Sequence, residues 1–256
     1  MIEARELTKR YGDLTAVDSV SFEIQRGEVV GFLGVNGAGK TTTMRMLTGF
    51  LPATDGTALI AGHDIFGEPL AARRAVGYLP EAPPLYPEMD VEGYLAYVAA
   101  LKDVPRGARR EAVERAVTRC GLSEVRRRVI GNLSKGFRQR VGLAQAIVHE
   151  PPVLILDEPT VGLDPTQIRE IRSLIAELAS PREGETQQAV ILSTHILPEV
   201  EAICRRVILI HEGRKVVDGS VEALTSEYGT LDQMFARHTY AAEPTGAPAR
   251  EGGAQT

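Results

Sequence analysis

The sequence predicts an α/β fold with three parts: an N-terminal antiparallel β subdomain, a strand–helix core, and an α-helical subdomain inserted into that core. Three observations carry the prediction. The segment Gly34-Val35-Asn36-Gly37-Ala38-Gly39-Lys40-Thr41 fits G-x-x-x-x-G-K-[ST] and joins an apolar strand-like run, 28–33, to a helical pattern, 42–47. Helical periodicity dominates from about residue 71 to residue 150. After Pro151-Pro152, strand-length apolar runs alternate again with helical segments, so the core is discontinuous in the chain.

Taken in order, residues 2–7 and 20–24 read as strands, with a turn at Gln25-Arg26-Gly27-Glu28 before the run that enters the glycine-rich loop. Residues 91–101 and 109–120 are the clearest helices of the insertion. Beyond it come a strand at 153–156, a helix at 166–179, a strand at 189–192, a helix at 197–204 and a strand at 207–210. Glu212-Gly213, before Lys215-Val216-Val217, suggests a closing hairpin. The expected organisation is one domain over 2–232, with core segments 2–81 and 151–232 and a helical subdomain at 82–150, followed by a C-terminal extension at 233–256. Its last part, 241–256, is rich in Ala, Gly, Pro and polar residues without an apolar face, and reads as a disordered tail.

At 256 residues, 43% hydrophobic and 25% charged, the chain can bury a sizeable core. A formal net charge of −5 gives no electrostatic footprint for nucleic acid, which is not expected as a partner. Cys120 and Cys204 have no metal-like spacing and read as thiols of a reducing compartment. The acidic, mixed start Met1-Ile2-Glu3-Ala4-Arg5-Glu6-Leu7 is unlike a signal peptide, and no apolar run is long enough to span a membrane. The chain is therefore expected in the cytoplasm, and any membrane role must be peripheral.

The glycine-rich loop lets backbone N–H groups and a helix N-terminus face a polyphosphate. Lys40 supplies a point charge, and Thr41 offers a hydroxyl to Mg²⁺. The run Val153-Leu154-Ile155-Leu156-Asp157-Glu158 reads as a buried strand delivering two carboxylates to a sheet edge. There Asp157 can hold Mg²⁺, and Glu158 can take a proton from water attacking the γ-phosphate. The alternative for this pair alone is an acidic loop after a core strand.

The stretch Leu133-Ser134-Lys135-Gly136-Phe137-Arg138-Gln139-Arg140 resembles the L-S-G-G-Q-type signature of ATP-binding cassette (ABC) proteins. The resemblance covers about residues 2–230 and implies a P-loop NTPase fold with a RecA-like core. It further implies ATP and Mg²⁺ as cofactors, and a homodimer in which each nucleotide lies between the phosphate loop of one chain (Gly34, Val35, Asn36, Gly37, Ala38, Gly39, Lys40, Thr41, Thr42) and Ser134, Lys135 and Gly136 of the other. Ser134 can equally be a helix N-cap. Tyr11 matches the aromatic that stacks on adenine, or is a surface aromatic. Gly162-Leu163-Asp164 resembles the D-loop. Ser193-Thr194-His195 resembles the H-loop, in which His195 would hydrogen-bond the γ-phosphate and position water.

Gly77-Tyr78-Leu79-Pro80-Glu81 departs from the family, which usually has glutamine where Glu81 stands. Glu81 would add negative charge near Asp157 and Glu158, and is expected to serve as a metal and coupling contact. With the stretch 82–89 and the K-G-F-R-Q-R form of the signature, this Glu is similar to ABC-2-type exporter ATPases, especially the gliding-motility-associated group. That resemblance implies an ATPase subunit, peripheral on the cytoplasmic face, that drives a polytopic permease. Glu158, His195 and Lys40 would be catalytic, and Thr41, Asp157 and Glu81 would meet the metal. Leu85, Tyr86 and Met89 could receive the permease or simply pack locally, and Arg126-Arg127-Arg128 could touch lipid or be a solvated helix end. The alternative from another class is a soluble single-cassette ATPase acting in cofactor or complex assembly.

Overall fold

The structure is a computed structural model that describes residues 1–179 and 187–239. Strands β1 (Ile2–Tyr11) and β2 (Leu14–Ile24) form a hairpin, and β3 (Val29–Leu33) runs into the glycine-rich loop and α1 (Lys40–Leu47). Then come β4 (Asp55–Ile60), β5 (His63–Asp64), α2 (Pro69–Arg74) and β6 (Val76–Leu79). The insertion holds α3 (Val91–Leu101), α4 (Arg109–Arg119) and α5 (Lys135–Ile147). The chain returns through β7 (Val153–Asp157), α6 (Pro165–Ala179), β8 (Ala189–Thr194), α7 (Leu197–Ile203), β9 (Arg206–His211) and β10 (Arg214–Ser220), and continues with α8 (Val221–Tyr228) and α9 (Leu231–Thr239).

The strands make two sheets. One is antiparallel, in the order β2-β1-β4-β5; the other runs β10-β9-β3-β8-β7-β6, parallel except for β10. The apolar runs of β7 and β8 are buried on both faces, as expected for interior parallel strands. Their side chains nevertheless divide by the period of two. Leu154, Leu156, Val190 and Leu192 join the cluster shared with α3 to α7, whereas Val153, Ile155, Ala189 and Ile191 join the one beneath α1 and the antiparallel sheet. The helical subdomain thus has no separate core; it is bonded to the sheet through one continuous apolar layer.

Local signals place the helix starts. Asp90 caps α3 by accepting from Gly93 N (2.8 Å), and Ser134 caps α5 by accepting from Phe137 N (3.3 Å). Helix α5 begins at Lys135, so its first turn lies within the signature stretch itself. The helical pattern expected from residue 71 is interrupted by β6, which pairs in parallel with β7 from Val76↔Val153 to Leu79↔Leu156. Arg126, within the triplet read as a solvated helix end, instead bridges Glu92 of α3 (2.9 Å) and Glu114 of α4 (3.0 Å). Helix α9 straddles residue 232, and its Leu231, Met234 and Phe235 are buried in the layer that covers the sheet. The expected disordered tail, 241–256, lies outside the described residues. Cys120 and Cys204 are free and buried, and burial pushes both thiols up to about 12.

Candidate active site

The strand order decides the site. Because β3, β8, β7 and β6 are adjacent and parallel, the loops after them emerge side by side at one edge of the sheet, where open α/β folds bind ligands. Those loops carry the phosphate loop, His195, the pair Asp157 and Glu158, and Glu81 respectively. They enclose a cleft of about 350 Å³ lined by Asn36, Gly37, Gly39, Lys40, Thr41, Thr42, Glu81, Glu158 and His195, with Ala16 and Val161 closing its sides.

The phosphate loop needs its glycines for two separate reasons. Gly39 has φ +105, and a Cβ there would lie 2.6 Å from the carbonyl oxygen of Ala16. Gly34 has ordinary φ, but a Cβ on it would meet the carbonyl of Ile210 at 2.5 Å. The loop is thereby pressed between β2 and β9. Gly34, Val35 and Ala38 form its inner side: Ala38 N donates to Val35 O (3.1 Å), and Lys40 Nζ donates to Gly34 O (2.9 Å) and Val35 O (3.3 Å).

Lys40 is buried, and its Nζ lies 3.3 Å from Glu158 Oε1. Glu158 is buried as well and takes a left-handed backbone, φ 49, held where its N–H donates to Ser193 O (2.8 Å). That conformation costs on the order of 1 kcal/mol in a residue other than glycine. His195 Nδ1 contacts both carboxylate oxygens of Glu158, at 2.9 and 3.0 Å. An ionised carboxylate only accepts, so Nδ1 carries the proton and Nε2 is the ring's remaining hydrogen-bonding atom. Lys40, more than a hundred residues before Glu158 and His195 in sequence, therefore forms one contiguous charge arrangement with them.

Asp157 is fully buried. Its Oδ1 accepts from Ser193 Oγ (2.7 Å), while Oδ2 has no hydrogen-bond partner. Burial lifts its carboxyl above the ordinary value, against the hydroxyls of Ser193 and Thr41, which lower it, while Glu158 adds repulsion. An orphaned, buried carboxylate oxygen beside a threonine hydroxyl fits a hard divalent cation, which prefers oxygen ligands. Asp157 and Thr41 are the protein groups that fit it best; Glu81 lines the cleft but is exposed. Among the described residues no cluster of three or more His, Cys, Asp or Glu forms a metal cage, so a cation here needs phosphate and water oxygens to complete its shell.

Two groups of expected nucleotide contacts lie elsewhere. Tyr11, at the end of β1, is half exposed, with Lys9 Nζ 5.4 Å from its ring centre, and does not line the cleft. Ser134 and Gly136 line a second cleft of about 200 Å³ with Arg140, Gln167 and Glu170. Lys135 reaches back over Gly162 of the D-loop, and Asp164 caps α6 by accepting from the N–H groups of Thr166 and Gln167, both at 2.9 Å. No individual role is expected from sequence for Ser193 or for Gln139, whose buried side chain donates to Pro159 O (2.7 Å) and ties the signature helix to the turn after Glu158. The signal for Ser193 is a hydroxyl pair ending an otherwise apolar strand.

A profile of the ABC transporter family matches residues 17–161, which include the phosphate loop, the signature and both carboxylates. The chain belongs to the ABC transporter family. It is an ATP-binding subunit, a cassette whose reaction is ATP hydrolysis in the service of transport. The cassette is 40% identical over 216 residues to the uncharacterised ABC transporter ATP-binding protein YhcH of Bacillus subtilis (strain 168), covering 84% of this chain and 68% of that one. It is 37% identical over 214 residues to the bacitracin transport ATP-binding protein BcrA of Bacillus licheniformis, with the same two coverages. A solved ATP-binding subunit of an ABC transporter superposes with a TM-score of 0.81 at 29% identity, covering 93% of this chain and 98% of that one. The expected α/β P-loop architecture is thus the one found. Among the described residues no helix is long and apolar enough to cross a membrane.

Proposed function

We propose that this cassette is the ATPase subunit of an ABC-2-type exporter and works as a homodimer with two composite ATP·Mg²⁺ sites. The observation that carries the composite site is the separation of its two halves within one chain. Lys40, Glu158 and His195 line one cleft, Ser134 and Gly136 another, and the two clefts share no residue. A two-fold, isologous pairing brings each half to the complementary half of the partner.

The chemistry follows from the charge arrangement. Lys40 is satisfied by two loop carbonyls and by Glu158. A polyphosphate in the loop takes over the ammonium and leaves the Glu158 carboxylate to accept the proton of the attacking water, as that water's oxygen bonds to the γ-phosphorus. The bond from γ-phosphorus to the bridging oxygen breaks, giving ADP and phosphate. The proton transfer contributes about 10²–10⁴-fold. His195 orients the base through Nδ1. Mg²⁺, held by Thr41, Asp157 and Glu81 with phosphate oxygens, would supply charge neutralisation on the transferring group. Tyr11 would stack on the adenine.

The bacitracin transport relative supports an exporter. The finer likeness to the gliding-motility-associated group rests on residues 81–89 and the signature form alone. A separate polytopic permease would hold the cassette at the cytoplasmic face. Its dock is the groove of about 570 Å³ between α1, β6 and the insertion, lined by Pro80, Ala82 and Pro84 of the loop around Glu81 together with Phe50, Val98 and Lys102. Tyr86 stays partly exposed beside Tyr94 and Tyr97, while Leu85 and Met89 pack partly into the core.

Mixing two inactive chains tests the composite site. Lys40→Ala and Ser134→Arg each disable both sites of a homodimer, whereas the mixed dimer has one site with both defects and one with neither. Recovery of phosphate release on mixing supports the proposal; a mixture no more active than its components contradicts it.

A further inference from the structure

We infer that Glu199 is a positioning residue that holds the loop of the base and the loop of the histidine in register; the inference rests on the ATPase reading. Glu199 lies in the first turn of α7 and is 1% exposed; among the described residues the other buried carboxylates are Asp157 and Glu158 of the site itself. Its two oxygens serve two different loops. Thr160 Oγ1, two residues after Glu158, donates to Oε1; Thr194 Oγ1, immediately before His195, donates to Oε2 at 2.9 Å. Thr194 Oγ1 also accepts from Ile196 N (3.1 Å), which fixes the backbone on the far side of His195.

A plain interhelical ion pair would look different. The nearest cation, Arg172 on α6, keeps its Nη2 3.9 Å from Oε1, at the edge of ion-pair range. The directed hydrogen bonds go to the hydroxyls instead, and a buried carboxylate retains its charge cheaply only when such donors satisfy it. The cost of that arrangement is borne at a point where it fixes the relative position of Glu158 and His195, whose side chains meet at 2.9 Å. Thr160 also opens the turn that leads to Gly162 and Asp164, so the same carboxylate connects the base, the histidine and the D-loop. None of these contacts touches the phosphate loop, which predicts an effect on turnover and not on nucleotide affinity.

The test compares full-length wild type with Glu199→Ala, Glu199→Gln, Thr160→Val, Thr194→Val and the Glu199→Ala/Thr194→Val double variant, measuring phosphate release, affinity for a fluorescent ATP analogue and thermal melting. Expected are a kcat loss of about 10- to 100-fold for Glu199→Ala with KM and affinity within about 3-fold, recovery to within about 5-fold in Glu199→Gln, and a double variant no worse than the poorer single one. Glutamine rescues because its amide can accept from one hydroxyl and donate to the other. Wild-type phosphate release separates failure of the ATPase reading from failure of this one. Should Glu199→Ala not fold, the two near-isosteric valine variants decide. Wild-type kcat in both, or a loss of affinity that parallels the loss of kcat, overturns the inference.

Discussion

Replacing Glu158 by glutamine separates two roles that its contacts with Lys40 and His195 assign to one carboxylate. The Lys40 ammonium and the Glu158 carboxylate stand 3.3 Å apart, both shielded from solvent. At an effective dielectric constant of about 20 their gross attraction is about 5 kcal/mol. Most of that repays the desolvation of two charges, leaving about 1–2 kcal/mol that a γ-phosphate must displace, roughly 5- to 30-fold in affinity. Glutamine keeps the size, accepts the His195 Nδ1–H through its amide oxygen, and adds no new strain at φ 49. It removes the charge that competes for Lys40 and the group that accepts the proton. Glu158→Gln should therefore bind ATP about 5- to 30-fold more tightly while hydrolysis falls about 10²–10⁴-fold. Equilibrium binding of a fluorescent ATP analogue and single-turnover phosphate release measure the two arms. Turnover within about threefold of wild type, or loss of turnover with weakened binding, would refute the assignment.

Asp157→Asn should raise the stability of the protein without nucleotide by about 1–3 kcal/mol at neutral pH, because it removes a fully buried negative charge that has a single hydrogen-bond partner, while abolishing Mg²⁺-dependent activity. The raised Asp157 carboxyl penalises the fold only where it is ionised, so the advantage of asparagine should shrink as the pH falls through the folded value; urea melts at several pH values measure it. His149 has the opposite sense of shift for a base: burial, with the charge of Lys102, pushes it down from 6.5 to about 4. The unfolded chain then takes up a proton that the folded one refuses, and stability should fall by at most about 3 kcal/mol between pH 6.5 and 4. His149→Gln, which can still donate to Val76 O, should flatten that slope, and an unchanged slope would count against the burial argument.

What was legible in the sequence was local. The phosphate loop, the strand ending in Asp157-Glu158 and the strand ending before His195 each announce themselves within a dozen residues, because a strand–turn–helix unit fixes where its loop emerges. The parallel order that unites them follows from the fold class. The antiparallel subdomain was only half legible. Register shifts between Ala4 and Arg10, with Glu6 at φ 50, bury Leu7 and Thr8 in succession and spoil the alternation, so β1 runs on to Tyr11 through polar residues. Strand β4 opens on Asp55-Gly56, and β5 is two residues long, too short for a pattern. Helix α9 was readable from the spacing of Leu231, Met234 and Phe235, yet the expected boundary at 232 ran through it. The contacts of Ser193 with Asp157 and of Glu199 with Thr160 join residues 36 and 39 positions apart, which no local pattern encodes.

The most direct test of the account is a pull-down of the Glu158→Gln chain from membranes of its own organism in the presence of ATP, followed by mass spectrometry of what accompanies it. Recovery of a polytopic membrane protein, lost when Phe50 and Lys102 of the groove are both changed to alanine, is the predicted result. Recovery of soluble partners alone, despite a stable ATP-bound dimer, would contradict the exporter and place the cassette among assembly factors.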